Sequence, residues 1–297
     1  MKCRPGSLPM EGFVVWCTEG LADRLKSHVG IALKDDGAEA IHDLRVANRR
    51  LRNALRIFKN FYSRRTRKEA RRELKEIMKT AGKVRDRDIA IQIVFSLANI
   101  GAVDLLSDIV VERTKIKREL DRLLRKERDA CRCLCLSPRD QSASRGIPTL
   151  FDRADTAQVN AHNVLPLLVA AVLEGAKEPV ARATPEMLHG LRISLRRLRD
   201  TIEMFSPCYD LHLDRFIKML RELLQALGEL NDIATTRKIL LKRRPLSQTG
   251  KLCSALEEQI TNKIPEFVRL SRKTIGDARV AQHWLEYLAV RHAGSAG

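Results

Sequence analysis

Apolar residues recur every three or four positions through most of the chain, which is the period of an amphipathic α-helix. Sustained apolar–polar alternation between turn residues, the signal of a β-strand, is nearly absent. The pattern predicts four helices in each half of the chain and one more near the C-terminus. Long helices with short connections are typical of antiparallel bundles, so the predicted fold class is all-α. The predicted segments are 10–34, 36–62, 64–99, 102–135, 152–178, 184–206, 209–243, 246–276 and 278–292.

Two stretches of the chain repeat each other. The string IHDLRVANRRLRNALRIF at 41–58 is identical to LHGLRISLRRLRDTIEMF at 188–205 in eight of eighteen positions. Downstream, LKEIMKTAGKVRD at 74–86 aligns with LRELLQALGELND at 220–232 with nearly the same offset. Two matches in the same order indicate an internal duplication of about 147 residues, which is far longer than a solenoid repeat. The duplication predicts two four-helix bundles.

The break between the two halves is visible in the composition. The stretch SPRDQSASRGIP gathers serine, proline, glycine and charged residues without apolar periodicity, which is typical of a linker. We therefore expect a single domain made of two halves. Residues 1–136 form the first bundle, 137–150 the linker and 151–297 the second bundle.

The duplicated helix has two distinct faces. With residues placed at 100° intervals, the apolar side chains from Leu44 to Phe58 share one sector, and a basic row lies about 130° round the helix. The row runs along roughly 21 Å, and the second copy repeats it with Glu203 in place of Arg56. Like charges at this spacing repel, and a merely solvated face would intersperse acids. We interpret the rows as ligand-binding. Their members are His42, Arg45, Arg49, Arg52 and Arg56, and then His189, Arg192, Arg196 and Arg199.

A second basic set recurs on the helix that follows each row. Arg72 and Lys75 correspond to Lys218 and Arg221, with the same three-residue spacing. The run RRTRKEARR at 64–72 lies beside the first pair. We expect these side chains to extend the two rows. A solvated face is the alternative for both sets, and a capping or core role is the alternative for the two histidines.

Charge and composition narrow the class of partner. The 297-residue chain has a formal net charge of +18 and a pI of about 10, so it attracts anionic polymers or surfaces. A hydrophobic content of 44% argues against a disordered polycation. No apolar run reaches the roughly 20 residues that a membrane helix needs, and seven cysteines, an odd number, fit a reducing compartment. We expect a cytoplasmic protein without a membrane partner.

The cysteine string CRCLC does not have the pattern of a metal site. Cys131, Cys133 and Cys135 lack the Cys-x-x-Cys spacing of zinc sites, and no second cluster is spaced to complete the ligands. Incidental or packing thiols explain the string more simply. We therefore predict no metal and no cofactor.

The residues around the rows indicate which anion they bind. Guanidinium groups bind phosphate oxygens through two parallel hydrogen bonds, so a row of them suits a repeating phosphate chain. Modules for single-stranded or specific nucleic-acid sequences need aromatic platforms or base-edge readers, but Phe58 and Phe205 fall in the apolar sector. A ligand made only of phosphate fits best, and a shared groove for both rows is expected. Weak duplex backbone binding stays open, because it too needs only charge.

The repeated string His-x-Leu-Arg-x-x-x-x-Arg-Arg-Leu-Arg resembles the two halves of a CHAD domain, the conserved-histidine α-helical domain. Each copy precedes a helix that carries glycine and then Asp86 or Asp232, and the resemblance covers essentially the whole chain. It implies two four-helix bundles related by a pseudo-twofold axis, inorganic polyphosphate binding and association with polyphosphate granules. No Glu-x-Glu-x-Lys string of a triphosphate-tunnel domain is present, so the stand-alone type is the nearer match. By motif position, the implied binding residues are His42, Arg45, Arg49, Arg52, His189, Arg192, Arg196 and Arg199.

Two aspartates of the third predicted helix are the candidates for a catalytic site. Asp86 and Asp88 could hold Mg²⁺ for phosphoanhydride cleavage, but metal-assisted phosphoryl transfer needs several oxygen ligands and a positioned nucleophile. Flanked by Arg85 and Arg87, the two carboxylates are more simply ion-paired or helix-capping residues, and Ala234 replaces the second acid in the other half. We predict a non-catalytic polyphosphate-binding protein. A non-specific nucleic-acid binder and a metal-dependent polyphosphate hydrolase are the alternatives.

Overall fold

The described part of the chain is helical, which confirms the all-α prediction. The computed structural model describes residues 4–97, 103–130, 150–209, 213–243 and 246–289. The α-helices within these ranges are α1 (Met10–Ala32), α2 (Ala38–Ile57), α3 (Arg64–Leu97), α4 (Val103–Ala130), α5 (Ala157–Arg182), α6 (Pro185–Phe205), α7 (Leu213–Arg243), α8 (Leu246–Lys273) and α9 (Ala278–Ala289). The predicted linker 137–150 and the three clustered cysteines lie, apart from residue 150, outside the described residues.

Helix ends differ from the predictions where local chemistry intervenes. The second helix was predicted to reach residue 62, but α2 ends at Ile57 and a 3-10 turn follows at Lys59–Phe61. The turn redirects the chain so that Phe58 and Tyr62 are both buried. The fifth helix was predicted to span 152–178, but α5 begins at Ala157 and continues to Arg182, since Pro179 removes one helical hydrogen bond without ending the helix.

The described residues fall into two compact units. One, called here the α2–α3 unit, comprises Thr18–Ser137 and Glu229–Lys263. The other, called the α5–α6 unit, comprises Met1–Cys17, Pro138–Gly228 and Ile264–Gly297. Each unit therefore draws on both halves of the sequence, while the predicted division into residues 1–136 and 151–297 stays a prediction.

The core of the α2–α3 unit confirms the apolar sector of the first repeated helix. Leu44, Leu51 and Ala54 are fully buried, and Leu55 is nearly so. A further apolar cluster joins α3 and α4 to residues of α7 and α8 that belong to this unit. Its buried members are Ala90, Val94, Leu105, Ile109, Ile233, Ile239, Leu240, Cys253 and Leu256. Burial on one face of α2 leaves the basic row on another face of the same helix.

The α5–α6 unit has an aromatic core. The Phe205 ring at the end of α6 stacks against Phe13, with 5.2 Å between ring centroids, and against Phe151, with 5.7 Å. Phe216 of α7 stacks on Trp284 of α9 at 4.6 Å. These contacts fix the ends of α6 and α7, the two helices that carry the second basic row and its extension.

None of the helices among the described residues is long and apolar enough to cross a membrane.

Candidate functional site

Arg45 connects the first basic row to the neighbouring helix. Its Nη1 donates a hydrogen bond to the backbone carbonyl of Gly82 in α3 at 3.3 Å and lies 3.9 Å from Asp86 Oδ1. Burial lowers the pKa of Arg45, and Asp86 opposes that effect. An arginine stays protonated at neutral pH in any protein environment. The Arg45 guanidinium is therefore positioned by its neighbours, and 27% of the Arg45 side chain remains exposed.

His42 lies one helical turn before Arg45 and is exposed. Desolvation lowers the pKa of its imidazole, and the positive charges of Arg85 and Arg45 lower it further, against opposing contributions from Glu39 and Asp43. A neighbouring anion would favour the protonated imidazole. His42 can therefore respond to a polyanion by taking up a proton.

The rest of the first row becomes more exposed toward the end of α2. Arg49 and Arg52 are half-buried, whereas Arg56 is exposed. Arg56 donates from Nε and Nη2 to Asn53 Oδ1, at 3.3 and 3.0 Å. The acceptor in this contact is a neutral amide, and the contact orients the guanidinium.

Basic residues of α3 continue alongside α2. The short connection between the helices makes them antiparallel, so the sequence order on α3 runs opposite to that of the row. Arg72 and Lys75 are both exposed, as predicted for a surface extension. Lys79 is also exposed and falls on the same face, three or four residues from its neighbours. Lys79 was not among the residues predicted from the sequence, although its helical spacing between Lys75 and Gly82 was a usable signal.

The second row begins with a contact that matches the first. A Cβ built on Gly228 would lie 3.9 Å from Arg192 Nη2, and one built on Gly82 would lie 3.7 Å from Arg45 Nη1. The two arginines occupy corresponding positions in the repeat, and so do the two glycines. Each row therefore has one guanidinium close to the following helix at the same point of the repeat. His189 is exposed and Arg196 is half-buried.

The second row ends in contacts with acids. Arg199 Nη2 lies 2.7 Å from Asp200 Oδ1, and its Nε lies 3.8 Å from Glu203 Oε1. Glu203 Oε1 also accepts a hydrogen bond from Arg221 Nη2 of α7, at 2.9 Å. Two predicted site residues, Arg199 and Arg221, thus meet at one carboxylate. Lys218, the remaining member of the second set, is exposed.

The two aspartates singled out on α3 have different surroundings. Asp88 is buried and accepts a hydrogen bond from Arg113 Nε of α4 at 2.8 Å, while Arg113 also bonds Asp36. Burial lowers the pKa of Arg113, but the hydrogen bonds with Asp88 and Asp36 outweigh it, so the net pKa is raised. Asp86 instead faces Arg45 and is 38% exposed. Both carboxylates lie within α3 rather than at its end, which supports ion pairing and excludes helix capping.

Metal ligands do not converge in the part of the chain that the structure describes. Within the ranges given above, no group of three or more His, Cys, Asp or Glu side chains is arranged to hold an ion. The arranged cations are able to bind anions.

The chain is similar to a known protein family and to two solved structures. The family model of the CHAD domain matches residues 18–241. The crystal structure of the CHAD domain from the plant Ricinus communis is similar with a TM-score of 0.59 and 17% identity, over 96% of this chain and 92% of that one. PptA from Streptomyces chartreusis is similar with a TM-score of 0.58 and 16% identity, over 86% of this chain and 98% of that one. No curated protein matches the sequence. At these identities the two structures indicate a shared fold.

Proposed function

The chain belongs to the CHAD domain family, a family associated with polyphosphate binding, and we propose that it binds inorganic polyphosphate through the basic rows of α2 and α6. The observation that carries the proposal is the repeated placement of Arg45 against Gly82 and of Arg192 against Gly228. The hydrogen bond to Gly82 fixes the Arg45 guanidinium near the start of the first row, and the Arg192 guanidinium lies close to the matching glycine of the second. Fixed donors bind an anion with less loss of side-chain freedom than mobile ones.

The charge pattern of each row supports a phosphate chain over a nucleic acid. Bidentate hydrogen bonds from arginine suit phosphate oxygens, and successive arginines along one helical face suit a ligand that repeats the same group. Stacking of bases requires accessible aromatic rings. The sequence of α2 contains no Phe, Tyr or Trp, and Phe205, the single residue of these types in α6, is fully buried. Duplex DNA, which can be bound through its backbone alone, remains the second candidate.

We propose that binding occurs without catalysis. Asp88 is already held by Arg113, and Asp86 lies beside Arg45, so both carboxylates have cationic neighbours that would compete with a metal ion. Cytoplasmic polyphosphate granules are the proposed location, on the strength of the family resemblance. We also propose a duplicated four-helix arrangement, which the family supports. Helix starts recur in the two halves, since Met10 corresponds to Ala157 and Ala38 to Pro185.

A competition titration tests the proposed ligand. Labelled long-chain polyphosphate is bound to the protein at one fixed ionic strength and is then displaced with unlabelled polyphosphate, duplex DNA or tripolyphosphate. We expect saturable binding that DNA displaces only at much higher phosphate concentration. Equal displacement by DNA and polyphosphate, per phosphate, would favour a general polyanion binder instead.

A further inference from the structure

The two basic rows differ at the end farthest from their histidines. Arg56 at the end of α2 corresponds to Glu203 at the end of α6, and Asn53 corresponds to Asp200. On the neighbouring helix, Lys79 of α3 corresponds to Gln225 of α7. Every one of these three changes makes the α5–α6 unit less positive at a matched position.

In the α5–α6 unit, two acidic side chains contact arginines of the second row and its extension and offset their positive charge. Glu203 lies between Arg199 and Arg221 and is only 14% exposed at its side chain. Water therefore screens its ion pair with the half-buried Arg199 weakly, while the pair with the exposed Arg221 is screened more. Asp200, which is buried, holds the other side of Arg199. A phosphate chain that approached here would have to displace or tolerate two carboxylates.

The matched region of the α2–α3 unit has the opposite balance. Arg56 is oriented by the neutral Asn53, and Lys75 stands at the position that corresponds to Arg221. This unit adds two acids nearby on α3, Glu69 and Glu73. Their counterparts in α7 are Arg215 and Met219. With both acids included, the α2–α3 region still carries the larger excess of positive charge.

We infer that the two rows are unequal phosphate-binding surfaces. The row on α2 and its extension on α3, together called the α2–α3 row, bind phosphate more tightly. Glu203 weakens binding by the row on α6 and its extension on α7, together called the α6–α7 row. The inference rests on the proposed function. Glu203 acts as a competing anion, because it occupies two arginines that the repeat would otherwise present to the ligand. The long polyphosphate chain would thus contact the α2–α3 surface first as its concentration rises.

Matched charge reversals test the inequality. Arg49 and Arg196 occupy corresponding positions and are both half-buried, so Arg49→Glu and Arg196→Glu perturb the two rows in the same way. We expect Arg49→Glu to weaken polyphosphate binding about tenfold and Arg196→Glu by less than about threefold. The slope of log Kd against log salt should also fall more for Arg49→Glu, since each lost phosphate contact removes about 0.7 from it.

Variants of Glu203 test the residue itself. Glu203→Arg, which copies Arg56, should tighten binding about threefold to tenfold, and Glu203→Gln should tighten it less. Glu266→Arg on α8 of the same unit makes the same change in net charge and serves as the control. It should leave the affinity within about twofold, because an exposed charge on another helix is screened by salt.

The outcomes separate this inference from the proposed function. If the wild-type protein does not bind polyphosphate, both are overturned. If it binds but Arg49→Glu and Arg196→Glu weaken binding equally, the inequality alone is wrong. If Glu203→Arg and Glu203→Gln bind no more tightly than Glu266→Arg, Glu203 does not limit the α6–α7 row.

Discussion

Arg45 of α2 donates a hydrogen bond to the backbone carbonyl of Gly82 in α3 across 3.3 Å. Because a carbonyl is a neutral acceptor, the contact positions the guanidinium but leaves its positive charge in place. Asp86, at 3.9 Å, is the acidic group near the same Nη1 atom and partly offsets that charge. These two contacts orient the Arg45 guanidinium. Its electrostatic attraction for an anion depends on the nearby Asp86 carboxylate.

Removal of the Asp86 charge should therefore strengthen binding. We expect Asp86→Asn to tighten polyphosphate binding about twofold to fivefold, because a partly exposed ion pair contributes up to about 1 kcal/mol. Isothermal titration at fixed salt measures the change. The hydrolase alternative makes a different prediction, namely metal-dependent release of orthophosphate that Asp86→Asn abolishes. We expect no such release from either protein.

His42 should make binding depend on pH below 6.5. Desolvation and Arg85 lower the imidazole pKa in the free protein, so His42 is neutral at pH 7 and its protonation begins only below the ordinary value. A bound polyanion favours the charged form, so affinity should rise as pH falls through this window, by at most about tenfold per pH unit for one proton.

The His42→Gln variant isolates this effect. Titrations between about pH 5 and 8 should show a shallower pH dependence for the variant than for the wild type, with equal affinity near pH 8. An unchanged pH dependence would place His42 outside the contact surface.

Asp88 is expected to support stability rather than binding. Replacement by asparagine leaves the half-buried Arg113 with a weaker partner, and it should lower the free energy of unfolding by about 1–3 kcal/mol. Asp86→Asn is the matched control on the same helix, with an expected change below about 0.5 kcal/mol because Asp86 is partly exposed. Urea unfolding followed by circular dichroism separates the two. A large loss of polyphosphate affinity in folded Asp88→Asn would contradict this assignment.

Asn48 is a polar residue in an apolar position. Its side chain is fully buried, and among the described residues neither atom of its amide group has a hydrogen-bond partner. The corresponding residue of α6 is Leu195, which is also fully buried. Asn48→Leu should therefore raise the free energy of unfolding by about 1–2 kcal/mol, because an unsatisfied buried amide is costly.

The reverse exchange provides the comparison for Asn48. Leu195→Asn should lower stability by about 2–4 kcal/mol, through loss of apolar contacts and burial of a new amide. Destabilisation by Asn48→Leu would instead indicate that the cavity around Asn48 does not accept the larger side chain.

The helices and the faces of α2 could be predicted from sequence because both depend on local spacing. Leu44, Leu51 and Leu55 follow one another at helical intervals, and their burial follows directly from that period. The position of the 3-10 turn after α2 could not be predicted in this way. It depends on contacts between residues that are distant in the sequence, such as the hydrogen bond between the hydroxyl groups of Tyr62 and Thr18.

The candidate site was predictable as a list of residues but not as a set of contacts. Repetition of the string identified Arg45 and Arg192, whereas their approach to the two glycines requires the packing of two helices. The meeting of Arg199 and Arg221 at Glu203 likewise joins residues 18 positions apart on separate helices. Division into two units that each take segments from both halves also depends on long-range packing, which a local pattern does not encode.

The most direct measurement combines Arg45→Glu with Arg192→Glu and titrates the double variant with long-chain polyphosphate. The circular dichroism spectrum and melting temperature serve as controls for folding. If both rows bind the phosphate chain, the double variant should lose at least about a hundredfold in affinity, and more than either single variant, since a multivalent ligand loses contacts in both rows. A folded double variant that binds polyphosphate as tightly as the wild type would contradict the assignment of the binding surfaces.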